Sequence, residues 1–258
     1  MIWRRSPTPF SPANCPRTDL VSFRSVLFNF LMWLSVTVYA PLSLLTAVLP
    51  FPRRYRLISR WARWQMFLLK HICGLDYRVD GLEHLPAGAA VILAKHQSAW
   101  ETIAFQQIFP PQTWVLKREL MWIPLFGWAL ALLRPIAIDR GAGRLAIEQV
   151  IEQGRERLQS GIWVVVFPEG TRVAPGTRRR YGIGGAALAA ASGYPVVPVA
   201  HNAGSFWPRR GFRKRPGTIR VVIGPVIDSH GRSAEEIRRQ AEEWIENTMA
   251  GLEGKQPD

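Results

Sequence analysis

The run KHQSAWET at 95–102 holds the pair of side chains best suited to acid–base chemistry in this sequence, His96 and Glu101. Five residues turn a regular helix through ~500°, so the two cannot share a helical face. They meet only if the chain turns between them, with His96 ahead of a helix and Glu101 in its first turn. A carboxylate held against one imidazole nitrogen fixes the tautomer and leaves the other nitrogen free as a base. A structural reading competes. Ser98-Ala-Trp-Glu101 is also the S-x-x-E of a capping box, in which Glu101 only secures a helix start. This segment alone leaves both readings open.

A second charged cluster stands in VVVFPEGTR at 164–172. A β-branched run empties into Phe167-Pro168, then Glu169, the turn glycine Gly170, the hydroxyl of Thr171 and Arg172. Glycine lets the backbone approach a ligand, and the guanidinium offers a planar fork for phosphate or carboxylate. The plain alternative is a turn with a solvated charge pair. Asp139-Arg140, after AI at 137–138, repeats the pattern, its alternative being an exposed ion pair worth little. Lys117-Arg118-Glu119 forms a basic helix entry, where cations oppose the helix dipole and so need another reason to be there. VVPVA at 196–200 reads as a core strand.

These residues need a frame, and the pattern supplies one. Strands are expected at 77–79, 90–94, 114–116, 136–138, 162–167, 196–200 and 219–223. Helices are expected at 101–108, 120–132, 144–158, 186–192 and 234–251. The alternation predicts an α/β fold, a mostly parallel sheet flanked by helices. His96, Lys117, Arg140 and Glu169 each follow an expected strand, on the rim where such sheets bind ligands.

Ahead of this domain, residues 1–19 are proline-rich and read as a mobile tail. Residues 27–49 carry no charge and are long enough to cross a bilayer, with Pro41 inside and Pro50 and Pro52 closing the run. Arginines flank the run on both sides, so the positive-inside rule keeps both ends in the cytoplasm. A second amphipathic helix is expected at 54–73, with Leu57, Trp61, Trp64, Leu68 and Ile72 on its apolar side and arginines elsewhere. The reading is a helical hairpin over 20–73 dipping into one leaflet, then an α/β domain over 74–258.

Composition narrows the partners. Lys and Arg number 33 against 19 acids, a net charge of +14. Residues 1–73 hold ten basic residues and one acid, and residues 172–220 hold ten and none. Two basic blocks fit phospholipid headgroups, a phosphate-bearing substrate, an acidic carrier protein or nucleic acid. The two cysteines, Cys15 and Cys73, lack ligand-spaced histidines, so neither a zinc site nor a disulfide framework is expected. His71, His84, His201 and His230 lie outside the charged clusters and read as structural or surface residues.

In their order, these segments resemble the glycerolipid acyltransferase family, and most closely its bacterial 1-acyl-sn-glycerol-3-phosphate acyltransferases. His96-Gln-Ser-Ala-Trp-Glu101 matches the family's H-x-x-x-x-D with Glu for Asp. Ile138-Asp139-Arg140 matches the second motif, FPEGTR at 167–172 the third, and VVPV at 196–199 the fourth. The resemblance implies that His96 deprotonates the sn-2 hydroxyl of lysophosphatidate, which attacks an acyl thioester of acyl carrier protein or coenzyme A. It further implies that Glu101 orients His96, that Lys117, Arg140 and Arg172 hold the phosphate, and that Glu169, Gly170 and Thr171 help position the glycerol. No metal or cofactor is implied beyond the thioester co-substrate, and nucleic acid is not an expected partner. The expected location is the cytoplasmic face of the inner membrane. A different lyso-lipid acceptor is the alternative within the family. A non-catalytic basic module, bound to membrane or nucleic acid through Arg178-Arg179-Arg180, is the alternative outside it.

Overall fold

Seven short runs, most of them rich in Val, Ile and Leu, hydrogen-bond into one sheet in the computed structural model, which describes residues 16–254. In chain order they are β1 (Leu75–Asp80), β2 (Val91–Ala94), β3 (Gln112–Lys117), β4 (Ile136–Ile138), β5 (Trp163–Val166), β6 (Val196–His201) and β7 (Gly217–Ile223). All seven coincide with expected strands. The spatial order is β1-β7-β6-β2-β5-β3-β4, and every neighbouring pair is parallel except β6 with β7. Every residue of β2, β5 and β6 is buried, as a parallel sheet covered on both faces requires.

Helices cover both faces: α1 (Pro16–Leu44), α2 (Phe51–Cys73), α3 (Trp100–Ile108), α4 (Phe126–Ala131), α5 (Arg144–Gln159), α6 (Gly184–Ser192), α7 (Ala203–Phe206) and α8 (Ala234–Glu253). Alternation along β2 assigns its side chains to two cores. Ile92 and Ala94 pack with α2 and α3, whereas Val91 and Leu93 pack with α5, α6 and α8. Close approach of α5 to α6 depends on Gly154, where a Cβ would lie 2.5 Å from Leu188.

Three expectations change. The helix expected at 120–132 is broken: Arg118–Trp122 is a 3-10 turn and the α-helix starts only at Phe126. Pro124 cannot donate to a helical ladder, and Leu125 sits at φ 61, outside helical space. On α2 the buried apolar residues are Tyr55, Ala62, Met66, Leu68, Leu69 and Cys73, with Trp61 and Ile72 packed against the same core, while Trp64 lies outside and stacks on Phe67. Apolar residues nearly encircle that helix, so sequence spacing did not single out one face. The expected tail lies outside the described residues over 1–15, and its last four residues, from Pro16 to Asp19, are already helical.

α1 runs through Pro41 without ending. The chain reverses through a 3-10 turn at Leu45–Val48, and α2 returns alongside, with Trp61 and Gln65 both donating to Ser35 Oγ. Over Asp19–Val48 the helix is long and apolar enough to cross a membrane, and only 11% of its most apolar 18-residue stretch is buried. Phe23, Phe30 and Trp33 on α1 are exposed, as are Trp122 ahead of α4 and Trp128 on α4, which packs on α1.

Candidate active site

His96 leaves the sheet one residue after β2 is last paired, where Lys95 N–H donates to Val199 O at 3.0 Å. The loop after β5 then grips both sides of its backbone. Its N–H donates to Glu169 Oε2 at 2.7 Å, and its carbonyl accepts from Val173 N–H at 2.8 Å. The Phe167 ring stacks on the imidazole, centroids 4.1 Å apart and planes 14° from parallel.

The imidazole Nδ1 lies 2.8 Å from Glu101 Oε1. That oxygen also accepts from Gln97 N–H at 3.0 Å and Ser98 N–H at 2.8 Å. A carboxylate only accepts, so Nδ1 carries the hydrogen and Nε2 presents its lone pair. No described residue bonds Nε2. Glu101 is fully buried. Burial would raise its carboxyl, but His201, His96 and the Ser98 amide outweigh burial and hold it below the usual range. It is therefore an anion in the first turn of α3, where the helix dipole favours one.

Glu101 thus makes contacts drawn from both readings of S-x-x-E. Glu101 does reach back to Ser98 N–H, yet Ser98 Oγ accepts from Trp100 N–H rather than from Glu101 N–H. In α8 the same pattern, Ser233-Ala-Glu-Glu236, closes the full reciprocal box. At α3 the carboxylate is shared between the helix start and the histidine. The extra methylene of Glu over Asp is absorbed in that reach, and the contact to Nδ1 keeps a normal length.

Glu169 takes a different place from the one expected. Its carboxylate is turned inward, Oε2 on His96 N–H and Oε1 2.8 Å from Lys95 Nζ, and is 3% exposed, so in this structure it braces the His96 peptide. Burial, with Glu246 as a second carboxylate nearby, holds Glu169 up at about 7 although Lys95 and the His96 amide pull it down. Gly170 makes the turn at φ 68, a conformation that glycine adopts without strain. Thr171 and Arg172 follow, half-buried, and no described residue bonds or pairs with the Arg172 guanidinium.

Lys117 ends β3, exposed and 3.0 Å from Glu119. Its register partner Ile138 ends β4, and Arg140 opens the next turn, which Asp139 caps through Gly141 N–H. Asp139 also pairs with Arg118 at 3.2 Å. The order β2-β5-β3-β4 puts His96, Arg172, Lys117 and the Arg140 backbone along one rim. Lys117 stands two strand spacings, ~10 Å, from the end of β2 that carries His96. His201 is buried beneath, its Nε2 2.8 Å from Lys95 O and its ring against Trp100 and Phe105, as its structural reading requires.

A family model described as Acyltransferase matches residues 76–202, a span that contains every residue of this rim. The 1-acyl-sn-glycerol-3-phosphate acyltransferase of Pseudomonas aeruginosa is 48% identical over 236 residues, 90% of this chain and 92% of its own. The chain belongs to the acyltransferase family. A Saccharomyces cerevisiae enzyme of the same description is 30% identical over 71% of this acyltransferase and 65% of its own length. The crystal structure of the 1-acyl-sn-glycerophosphate (LPA) acyltransferase PlsC from Thermotoga maritima shares the fold. It has a TM-score of 0.76 and 22% identity, and the match covers 94% of this chain and 99% of that one.

Four supporting residues of this acyltransferase escaped the sequence reading. They are Lys95, which the reading left without a role, Tyr181, Glu246 and Glu253. Only Lys95 gave a signal. It continues the Val91, Leu93 parity into a buried face, where a lone charge needs partners. The others are joined to the site by folding alone.

Proposed function

We propose that this acyltransferase moves an acyl chain from a thioester to the sn-2 hydroxyl of 1-acyl-sn-glycerol-3-phosphate, forming phosphatidate. The observation that carries the reading is half-buried His96 held through Nδ1 by buried Glu101, its Nε2 without a partner among the described residues and Arg172 on the same rim. Nε2 takes the hydroxyl proton as the oxygen attacks the thioester carbonyl. Glu101 stabilises the imidazolium that forms. The tetrahedral intermediate collapses, the C–S bond breaks, and His96 returns the proton to the leaving thiolate. The acceptor attacks directly, so Ser98, buried under the α3 start, is not a nucleophile.

Arg172, Arg140 and Lys117 bind the acceptor phosphate in this scheme. The basic segment 172–220 receives the anionic end of the donor, acyl carrier protein or coenzyme A. The exposed apolar side of α1, with Trp122 and Trp128, sits in the bilayer from the cytoplasmic face of the inner membrane, where a lyso-lipid is delivered without leaving the lipid.

The test compares acceptors. Purified enzyme in detergent is given an acyl thioester with lysophosphatidate or with the matching monoacylglycerol. The proposal expects strong preference for lysophosphatidate. It expects Arg172→Gln to raise KM for lysophosphatidate about tenfold or more, as loss of a charge-assisted contact does, with a smaller change in kcat. Equal use of both acceptors by the wild type would replace lysophosphatidate with another lyso-lipid.

A further inference from the structure

His96 and Lys95 leave the end of β2 toward opposite faces of the sheet, and the face that receives Lys95 is closed by α8, outside the segment matched by the family model. Lys95 Nζ lies 2.8 Å from both Glu169 Oε1 and Glu246 Oε1, with Lys95 and Glu169 nearly devoid of solvent. Glu246 Oε1 also accepts from Tyr181 OH at 2.9 Å. A continuous chain of charge-assisted contacts therefore runs Glu246–Lys95–Glu169–His96 N–H. On the other side of the base, Gln97 Nε2 donates to Glu253 Oε1 at 2.7 Å, and Glu253 Oε2 accepts from Gly176 N–H at 2.8 Å. Glu246 and Glu253 are seven residues apart, two helical turns, and so share one face of α8.

We infer that Glu246 and Glu253 are positioning residues for His96, gripping the residues before and after it and making α8 part of the catalytic apparatus. The inference rests on His96 being the catalytic base. A buried lysine with two carboxylates is a costly arrangement, and an aliphatic side chain would close the same space more cheaply. Its cost is understandable here because it fixes the peptide at which the base leaves the strand. Geometry errors of about 1 Å cost up to a hundredfold in rate. On the same helix, Arg238 pairs, among the described residues, only with Glu235 and Glu242 and serves as a control that touches neither flank of His96.

The experiment measures kcat and KM for lyso-phospholipid, with the unfolding midpoint, for Glu246→Ala, Glu246→Gln, Glu253→Ala and Arg238→Ala in the full-length chain. Expected is a fall in kcat of about tenfold or more for Glu246→Ala and Glu253→Ala at nearly unchanged KM. Glu246→Gln keeps an acceptor oxygen for Lys95 and Tyr181 and recovers most of the loss. Arg238→Ala lowers the midpoint without lowering kcat. If Glu246→Ala does not fold, Glu253→Ala, in the last turn of α8, decides. Wild-type kcat in the folded glutamate variants, or losses equal to that of Arg238→Ala at equal midpoint, overturns the inference alone. An inactive wild type overturns the functional reading and this inference with it.

Discussion

Replacing Glu101 by Gln separates the two duties of that side chain. The glutamine oxygen can still accept from Gln97 and Ser98, so the start of α3 keeps its support. What disappears is the charge facing the imidazolium formed during catalysis. At an effective dielectric near 20, unit charges ~4 Å apart attract by about 4 kcal/mol, close to three powers of ten in rate. The new amide group also lands where Glu101 Oε2 now lies buried without a hydrogen-bond partner among the described residues, at a stability cost of about 1–3 kcal/mol. The assay is steady-state acyl transfer in detergent, with rates normalised to folded protein by circular dichroism and unfolding midpoint. Ser98→Ala is the companion, since it removes only the bond to Trp100 N–H. It should cost about 1 kcal/mol of stability and leave kcat intact. A folded Glu101→Gln enzyme with kcat near wild type would refute the reasoning and reduce Glu101 to a helix cap.

Three other outcomes follow from the geometry. Phe167→Leu removes the ring stacked on His96 and should lower kcat more than it raises either KM, measured in the same assay. Lys214 is buried with Nζ 4.6 Å from the Trp207 ring centroid, and burial lowers its pKa to about 8 from the usual 10.5. Between those values the unfolded chain binds more protons than the folded one, so this residue's contribution to stability rises with pH. The stability difference between wild type and Lys214→Met should therefore shift toward the wild type from pH 8 to 10, and a flat or falling difference in chemical unfolding would contradict this. Trp122→Ala combined with Trp128→Ala should weaken sedimentation with phosphatidylglycerol vesicles while leaving the unfolding midpoint almost unchanged.

The frame and the His96–Glu101 contact were legible because their signals are local. Each strand of the sheet is a short apolar run bounded by turn residues, and His96 with Glu101 lies within one turn of chain. FPEGTR was legible as a loop on the rim of the sheet but not in which of its side chains turn inward. Whether Glu169 faces outward to a ligand or inward to Lys95 depends on a lysine 74 positions earlier and a helix 77 positions later, which no spacing rule connects. The break at Pro124 and Leu125 was misread because the apolar residues around it keep a helical rhythm while the backbone does not. On α2, aromatic residues on both sides hid which face packs inward, because tertiary contacts and not periodicity select it.

The most direct test of the account follows thiol release and phosphatidate formation together, with an acyl thioester and lysophosphatidate, for the wild type and His96→Ala. The account predicts matched release and product in the wild type, and no thiol burst when acceptor is left out. It predicts a loss of about a thousandfold or more in folded His96→Ala. A burst of thiol equal to the enzyme without acceptor would reveal a covalent acyl intermediate, and a folded His96→Ala enzyme close to wild-type rate would remove His96 as the base. Either result would contradict the mechanism.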